Sequence, residues 1–232
     1  MTRAVIPLLR YELILQSRNK IYLAYGFVLG IETLFFVLLG KFVPTWSAAL
    51  FFYSDPAVLG FFFLGALMML ERSENTRPVL ATTPISAWDY FWCKTLSLTA
   101  LSLVALSVLA LAIHASINWP LLLVSVTLIS LTFIATGFFF ALTFKTVTAY
   151  LMGSAAAFIP IMLPMFWALS PNMPPYLAVL PPVAHFRLIL IAVAGYRATP
   201  GELALLLVVT LGTAMAVSLF AHRILKKELG GK

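Results

Sequence analysis

The sequence predicts an all-α integral membrane protein with six transmembrane helices. Hydrophobic residues make up 62% of the chain and charged residues only 10%, and the mean hydropathy is +1.02. Soluble domains contain about 25% charged residues, so water is excluded as the main solvent of this chain. Six apolar runs cross or nearly cross a bilayer by length, and the basic residues lie mostly on one side of them.

The basic residues predict the orientation of the six spans. If the N-terminus is cytoplasmic, all but three of the fifteen Lys and Arg residues lie in cytoplasmic segments. The three exceptions are Lys41, Arg187 and Arg197. By the positive-inside rule, we expect both termini in the cytoplasm and the protein in the inner membrane of a prokaryote.

Charge and side-chain chemistry exclude several classes of binding site. The net charge is +7, but the basic residues are scattered at helix ends, which favours anionic lipid headgroups over nucleic acid as partners. Cys93 is the only cysteine, so no internal disulfide and no thiolate metal cluster can form. The three histidines, His114, His185 and His222, lack partners at metal-ligand spacing, so no metal site is predicted.

Residues 1–20 precede the first span and are expected to form an interfacial helix. Their apolar residues form two loose stripes, Ile6, Leu9 and Leu13 in one and Leu8, Tyr11 and Leu15 in the other. A helix lying at the membrane surface and a basic flank that anchors the first span would both give this pattern. The first span is predicted over 21–40, and its length favours an uncleaved span over a signal peptide.

The second span is predicted over 56–70, with Asp55 as N-cap and Pro56 at the first helical position. A helix of this length covers only about 22 Å, whereas the hydrocarbon core is about 30 Å thick. The span must therefore extend at one end. The extension includes either the apolar residues 46–53 or the turn at 71–73.

The starts of the third and fourth spans are predicted from capping signals. Ser86 and Asp89 have capping-box spacing, so the third helix begins in the cytoplasm and continues to about Ile113. The sequence Asn118-Trp119-Pro120 begins the fourth span, which reaches about Phe144.

The fifth span is predicted over 148–169 with kinks at Pro160 and Pro164, and the sixth over 203–221. Between them, residues 170–202 are apolar but are interrupted by Pro181-Pro182. The uninterrupted part, 183–195, is too short to cross, and a seventh crossing would place the basic C-terminal residues outside. Short external or re-entrant helices are therefore expected.

The most specific pattern in the chain is the loop after the second span. Residues 71–97 read ERSENTRPVLATTPISAWDYFWCKTLS. The loop resembles the first cytoplasmic loop of ABC-2 type transporter permeases, which has a Glu, a Gly-Thr pair, an apolar segment, a Thr-Pro, an acidic-aromatic pair and a Lys. The matching residues here are Glu71, Thr76, Leu80, Thr83, Pro84, Asp89, Tyr90 and Lys94. Asn75 replaces the family's glycine and also tolerates a left-handed backbone.

The resemblance extends to residues 8–22, 55–71 and 148–158, which look like the fluoroquinolone export permease subgroup of this family. It implies an ABC-2 type exporter fold, with one transmembrane domain over 1–232. Within this domain, residues 1–20 would be the interfacial helix, 71–95 the cytoplasmic coupling loop and 170–202 the external re-entrant segment. A short coupling helix would lie between helices 2 and 3.

The resemblance also implies a function: export of a hydrophobic or amphipathic substrate, such as a drug, with two soluble ABC ATPase subunits and a second permease, identical or homologous. The coupling helix would lie at 76–84, and the coupling residues would be Glu71, Thr76, Leu80, Thr83, Pro84, Asp89 and Lys94. The chain has no phosphate-binding loop motif, so ATP and Mg would bind to the ATPases. No catalytic residue and no cofactor are expected in the chain itself.

Independently of the resemblance, two capped helices and a proline-bounded segment would form a compact polar surface for docking. An ordinary connection between two spans is the alternative.

Four residues are candidates for a substrate cavity: Glu32, Phe62, Met162 and Phe166. Glu32 lies near the middle of the first span, where a carboxylate costs about 2.5–3.5 kcal/mol. It would contact either a cationic substrate amine or, as a neutral carboxyl, a neighbouring helix. For the apolar candidates, packing in the core or against lipid is the alternative.

Gly26 and Gly30 form a small-xxx-small pair on one face of the first span, which predicts close approach of another helix. That helix would belong either to a second permease or to the same chain.

Other functions share either the predicted architecture or the predicted membrane location. Permeases for haem, lipid or polysaccharide export have the same architecture, and the sequence does not identify the substrate. A proton-coupled carrier or an intramembrane enzyme would need several polar groups at membrane depth, and only Glu32 is expected there.

Overall fold

The computed structural model describes residues 5–74, 85–113 and 117–228. Over these ranges the chain forms α-helices joined by short connections, with no β-strand. The helices are α1 (Val5–Arg18), α2 (Ile21–Leu39), α3 (Thr45–Val58), α4 (Leu64–Ser73), α5 (Ala87–Ile113), α6 (Trp119–Thr143), α7 (Val147–Met162), α8 (Pro181–Val193) and α9 (Pro200–Glu228). We call the end of the bundle where α4 ends and α5 begins the loop end.

Six stretches are long and apolar enough to cross a membrane. They are Ile21–Phe42, Thr45–Arg72, Ala87–Ile113, Trp119–Thr143, Val147–Leu169 and Pro200–Glu228. The predicted number of spans is confirmed, and the protein is a multi-pass helical membrane protein. The last span is longer than predicted, because α9 continues to Glu228.

The predicted start of the second span at Asp55-Pro56 is wrong. Helix α3 already begins at Thr45, a π-helical segment (Leu59–Phe63) follows it, and α4 continues to Ser73. Asp55 and Pro56 therefore lie inside a continuous helix. Pro56 has no backbone N–H, so the helix lacks one backbone hydrogen bond at this position. Both proposed extensions are present, since the helix includes residues 46–53 and 71–73.

Helix α6 lies at the centre of the bundle and packs against α3, α4, α5, α7, α8, α9 and the π segment. It approaches the π segment most closely at two glycines. A Cβ atom on Gly137 would lie 2.0 Å from the Gly60 carbonyl oxygen, and one on Gly60 would lie 2.4 Å from the Phe133 carbonyl carbon. Only glycine fits at these positions, so the two residues allow the backbones to touch.

The predicted caps of α5 and α6 are confirmed. The Asp89 amide donates to Ser86 Oγ at 3.1 Å and the Ser86 amide donates to Asp89 Oδ2 at 3.3 Å, which is a reciprocal capping box. At the start of α6, the Leu121 amide donates to Asn118 Oδ1 at 3.2 Å. These local signals fix where both helices begin.

Helix α1 is confirmed as a helix and ends at Arg18, and Lys20, whose φ is 57°, then turns the chain into α2. It packs against α5 and α2. Of its two stripes, Leu8 and Leu15 are buried, whereas Ile6 and Leu13 are 78% and 44% exposed. The location of α1 at a membrane surface stays a prediction.

Between the fifth span and α9, residues 170–199 contain short helices of the kind expected for 170–202, and α9 already begins at Pro200. Two 3-10 segments, Leu163–Leu169 and Pro175–Val179, precede α8, which at 13 residues is shorter than a membrane span. Helix α8 is largely buried among α3, α6 and α9. Arg187 holds this region together, because it forms a 3.1 Å ion pair with Glu202 and donates to the Ala168 carbonyl at 3.0 Å. The re-entry of residues 170–202 into the membrane stays a prediction.

Candidate functional site

A buried cluster of charged residues joins three helices at the loop end. Lys94 of α5 lies 2.7 Å from Glu71 Oε1 of α4 and 2.9 Å from Glu12 Oε2 of α1. Tyr90, one turn before Lys94, donates its hydroxyl hydrogen to Glu71 Oε2 at 2.6 Å. Lys94 is 1% exposed, Glu71 1% and Glu12 3%. We call these four residues the loop-end cluster.

Further hydrogen bonds orient the Glu12 carboxylate. Gln16, one turn along α1, donates to Glu12 Oε1 at 3.2 Å and to Ser97 Oγ of α5 at 2.9 Å. Removing charges from water is unfavourable unless they are paired and hydrogen-bonded, and this arrangement meets both conditions. The cluster therefore fixes α1 and α4 to α5 at the place where residues 75–84 connect α4 with α5.

The structure brings together some of the coupling residues predicted from the sequence. Glu71 and Lys94 form an ion pair, whereas Asp89 lies apart from them in the capping box of α5. The other predicted coupling residues lie outside the described residues: Thr76, Leu80, Thr83 and Pro84. The coupling helix that they would form is therefore not described.

Sequence reasoning missed Glu12, Gln16 and Ser97. Glu12 lies four residues after Leu8 and three before Leu15, so it interrupts the buried stripe of α1 with a carboxylate. A charged residue inside an apolar helical stripe was the available signal. Its partner is not visible in the sequence, because Lys94 follows 82 residues later.

A second buried polar network lies deeper in the bundle, around Asp55 of α3. The Tyr25 hydroxyl of α2 donates to Asp55 Oδ1, and Ser102 Oγ of α5 donates to Asp55 Oδ2 at 2.7 Å. Asp55 is 7% exposed. The expectation that Glu32 is the only acid at membrane depth is therefore wrong, because Asp55 lies within a span. Glu32 is half-buried and lies two turns after Tyr25 on α2.

Replacing Tyr25 by Phe is expected to destabilise the protein by about 1–3 kcal/mol. The substitution removes one of the two hydroxyl donors to Asp55 and leaves the carboxyl group buried. The measurement is the thermal unfolding midpoint of the purified protein in detergent. The matched control is Tyr22→Phe, because Tyr22 forms no side-chain hydrogen bond within the described ranges. Equal midpoints for the two variants would contradict this role of Tyr25.

The four candidates for a substrate cavity do not share one site. Met162 is buried and lines two cavities inside the bundle. Phe62 packs edge to face with Phe158, with ring centroids 6.1 Å apart. Phe166 is 45% exposed, and Glu32 is on the peripheral helix α2. Whether any of them binds substrate stays a prediction.

Gly26 and Gly30 lie on an open face of α2. A Cβ atom on either glycine would meet no described atom within 4 Å outside its own helix. Only 11% of the span that contains α2 is buried, against 61% for the spans of α3 with α4 and of α6. Within the described residues, the pair therefore does not contact another helix of the chain, and a contact with a second subunit stays a prediction.

No protein-family model matches the chain. The chain is 32% identical over 101 residues to a fluoroquinolones export permease protein of Mycobacterium tuberculosis (strain CDC 1551 / Oshkosh). The counterpart in strain ATCC 25618 / H37Rv matches with the same identity and length. In both cases the match covers 44% of this chain and 42% of the relative, so the chain spans less than half the length of the curated relatives it matches.

Proposed function

We propose that this chain is the transmembrane permease subunit of an exporter driven by separate ATPase subunits. Six spans and the partial similarity to export permeases support this proposal. The observation that carries it is the loop-end cluster, in which Lys94 binds Glu71 and Glu12 with almost no exposure to solvent. An ordinary connection between two spans does not require three helices to be joined by buried charges.

The cluster would transmit force from the loop to the bundle. Glu71 and Lys94 lie on the two helices that flank residues 75–84, and Glu12 adds α1 to the same unit. Displacement of the loop by a soluble partner would therefore move α1, α4 and α5 together. Since α4 continues through the π segment into α3, the movement would reach the centre of the bundle.

The proposed assembly contains two ABC ATPase subunits, which bind ATP and Mg, and a second permease, identical or homologous. The open face of α2 at Gly26 and Gly30 is the proposed contact between permeases. The assembly would lie in the inner membrane of a prokaryote, with both termini of this chain in the cytoplasm. Its substrate would be a hydrophobic or amphipathic molecule, and haem, lipid or polysaccharide export is the alternative within the same architecture.

Replacing residues 76–84 by a Gly/Ser segment of equal length is expected to abolish recovery of an ATPase in a pull-down from native membranes. The reason is that this segment would form the docking surface. The control variant replaces residues 170–174, which connect the 3-10 segments Leu163–Leu169 and Pro175–Val179. If the ATPase is recovered with both variants, or with neither the native chain nor the control, the proposal is wrong.

One observation favours a second function, a proton-coupled carrier. Asp55 is a buried acid within a span, and a carrier would use such a group to bind a proton. Vesicles with the purified chain, a pH gradient and no ATP separate the two functions. Substrate movement under these conditions that is lost in Asp55→Asn would favour the carrier over the exporter.

A further inference from the structure

A basic groove of about 480 Å³ lies on the surface of α9 near its end. The charged residues that line it are Arg223, Lys226 and Lys227, and all three are exposed. None of the three forms an ion pair within the described ranges. Over 219–228 the only acid is Glu228. The groove therefore offers three accessible cations to an anion.

Stacked aromatic rings form one side of this groove. His222 lines the groove, and its ring stacks on Trp88 of α5 with centroids 4.1 Å apart and planes 8° apart. Trp92, one turn further along α5, stacks on Trp88 with centroids 6.2 Å apart. All three side chains are half-buried. Tryptophan is enriched at the level of the lipid headgroups, so the stack indicates that the groove lies at a membrane interface. Since Trp88 is in the first turn of α5, this interface is the one at the loop end.

The length of α9 places the groove at the same level. The helix has 29 residues and is therefore about 43 Å long, whereas the hydrocarbon core is about 30 Å thick. Residues 203–222 contain no Asp, Glu, Lys or Arg, and a helix of this length covers about 30 Å. Arg223 therefore follows directly after the part of α9 that fills the hydrocarbon core. The groove lies where the phosphates of a bilayer would be.

An exposed apolar ridge runs along α9 towards the groove. Its residues follow one another at helical spacing of three or four and are 47–66% exposed: Val208, Leu211, Met215 and Leu219. His222 and Lys226 continue the same spacing, and the exposed Phe220 also lines the groove. An apolar ridge that ends at cations matches the acyl chains and the phosphate of a phospholipid. A soluble anion or an acidic protein surface would leave the ridge unused.

We propose that the groove at the end of α9 binds the headgroup of an anionic phospholipid. The Arg223 guanidinium would bind the phosphate with two parallel hydrogen bonds, and Lys226 would add a second positive charge. The acyl chains would lie along the apolar ridge, next to the stack of Trp88 and His222. The proposal does not rest on the proposed function, because it requires only that the chain spans a membrane.

The test titrates phosphatidylglycerol into the purified full chain in detergent micelles and measures bound lipid by native mass spectrometry. The double variant Arg223→Gln, Lys226→Gln should weaken this binding about 25-fold, because each basic side chain at a membrane surface contributes about 5-fold. Zwitterionic phosphatidylcholine should bind more weakly to the native chain and equally to the variant. The matched control is Arg18→Gln, Lys20→Gln, which removes the same charge from exposed residues between α1 and α2 and should keep the affinity. Equal losses in the two double variants would show attraction by net charge alone and would overturn the proposal.

Two further measurements separate the lipid from other occupants of the groove. Glycerol 3-phosphate carries a phosphate without acyl chains, so at the same concentration it should displace almost no phosphatidylglycerol. Displacement would identify a site for free anions and overturn the proposal. If the Arg223→Gln, Lys226→Gln variant keeps its lipid affinity but no longer recovers an ATPase from native membranes, the groove docks a protein and the proposal is wrong. Lipid binding at the groove by a chain that recovers no ATPase would support this site and contradict the proposed function.

Discussion

Replacing Gly137 by Ala is expected to destabilise the protein by about 3 kcal/mol, the upper end of the range for overpacked cores. The added methyl group would lie 2.0 Å from the Gly60 carbonyl oxygen and 3.0 Å from its carbonyl carbon. Both are backbone atoms, which cannot rotate away as a side chain could. The π segment and α6 would have to separate, at the centre of the bundle where α6 contacts most other helices.

The thermal unfolding midpoint and the monodisperse fraction of the purified protein measure this effect. The matched control is Gly212→Ala, because a Cβ atom at this position of α9 meets no described atom within 4 Å. Alanine there also favours a helix by up to about 1 kcal/mol relative to glycine. If the two variants unfold at the same temperature, close approach at Gly137 does not determine the helix spacing.

The spans and caps were predictable because their signals are local. Apolar length alone identifies a span, and the Ser86–Asp89 capping box is complete within one turn of helix. The start of the second span was missed for the opposite reason. Asp-Pro is a strong local signal for a helix start, but Asp55 is stabilised inside the helix by Tyr25 and Ser102, which belong to other helices. A tertiary contact here outweighs the local preference.

The candidate site was predictable only in part. Glu71 and Lys94 are matched by the resemblance to the loop of a known family, and the structure pairs them. Glu12 belongs to no such pattern, and a contact across 82 residues has no signature in one sequence. The cavity that Met162 lines was predicted only in part, for a related reason. Its wall is contributed by several separate helices, and each of its residues alone resembles ordinary core packing.

Replacing Lys94 by Met is expected to destabilise the protein by about 3–5 kcal/mol, the cost of breaking a buried ion pair by removing one partner. The Glu12 and Glu71 carboxylates would stay buried next to each other without the ammonium group that lies between them. Thermal unfolding of the purified chain measures the loss. The control is Lys145→Met, which removes the same charge from an exposed residue in the turn between α6 and α7 and should have little effect.

The triple variant Glu12→Gln, Glu71→Gln, Lys94→Met separates stability from coupling. Neutral groups replace all three charges, so no charge of the cluster is left buried without its partner, and much of the stability lost in Lys94→Met should return. If the cluster transmits force from the loop, ATP-driven export should nevertheless stay low in the assembled complex, because the ion pairs that join α1, α4 and α5 are absent. Recovery of export together with stability would show that the cluster only holds the helices in place.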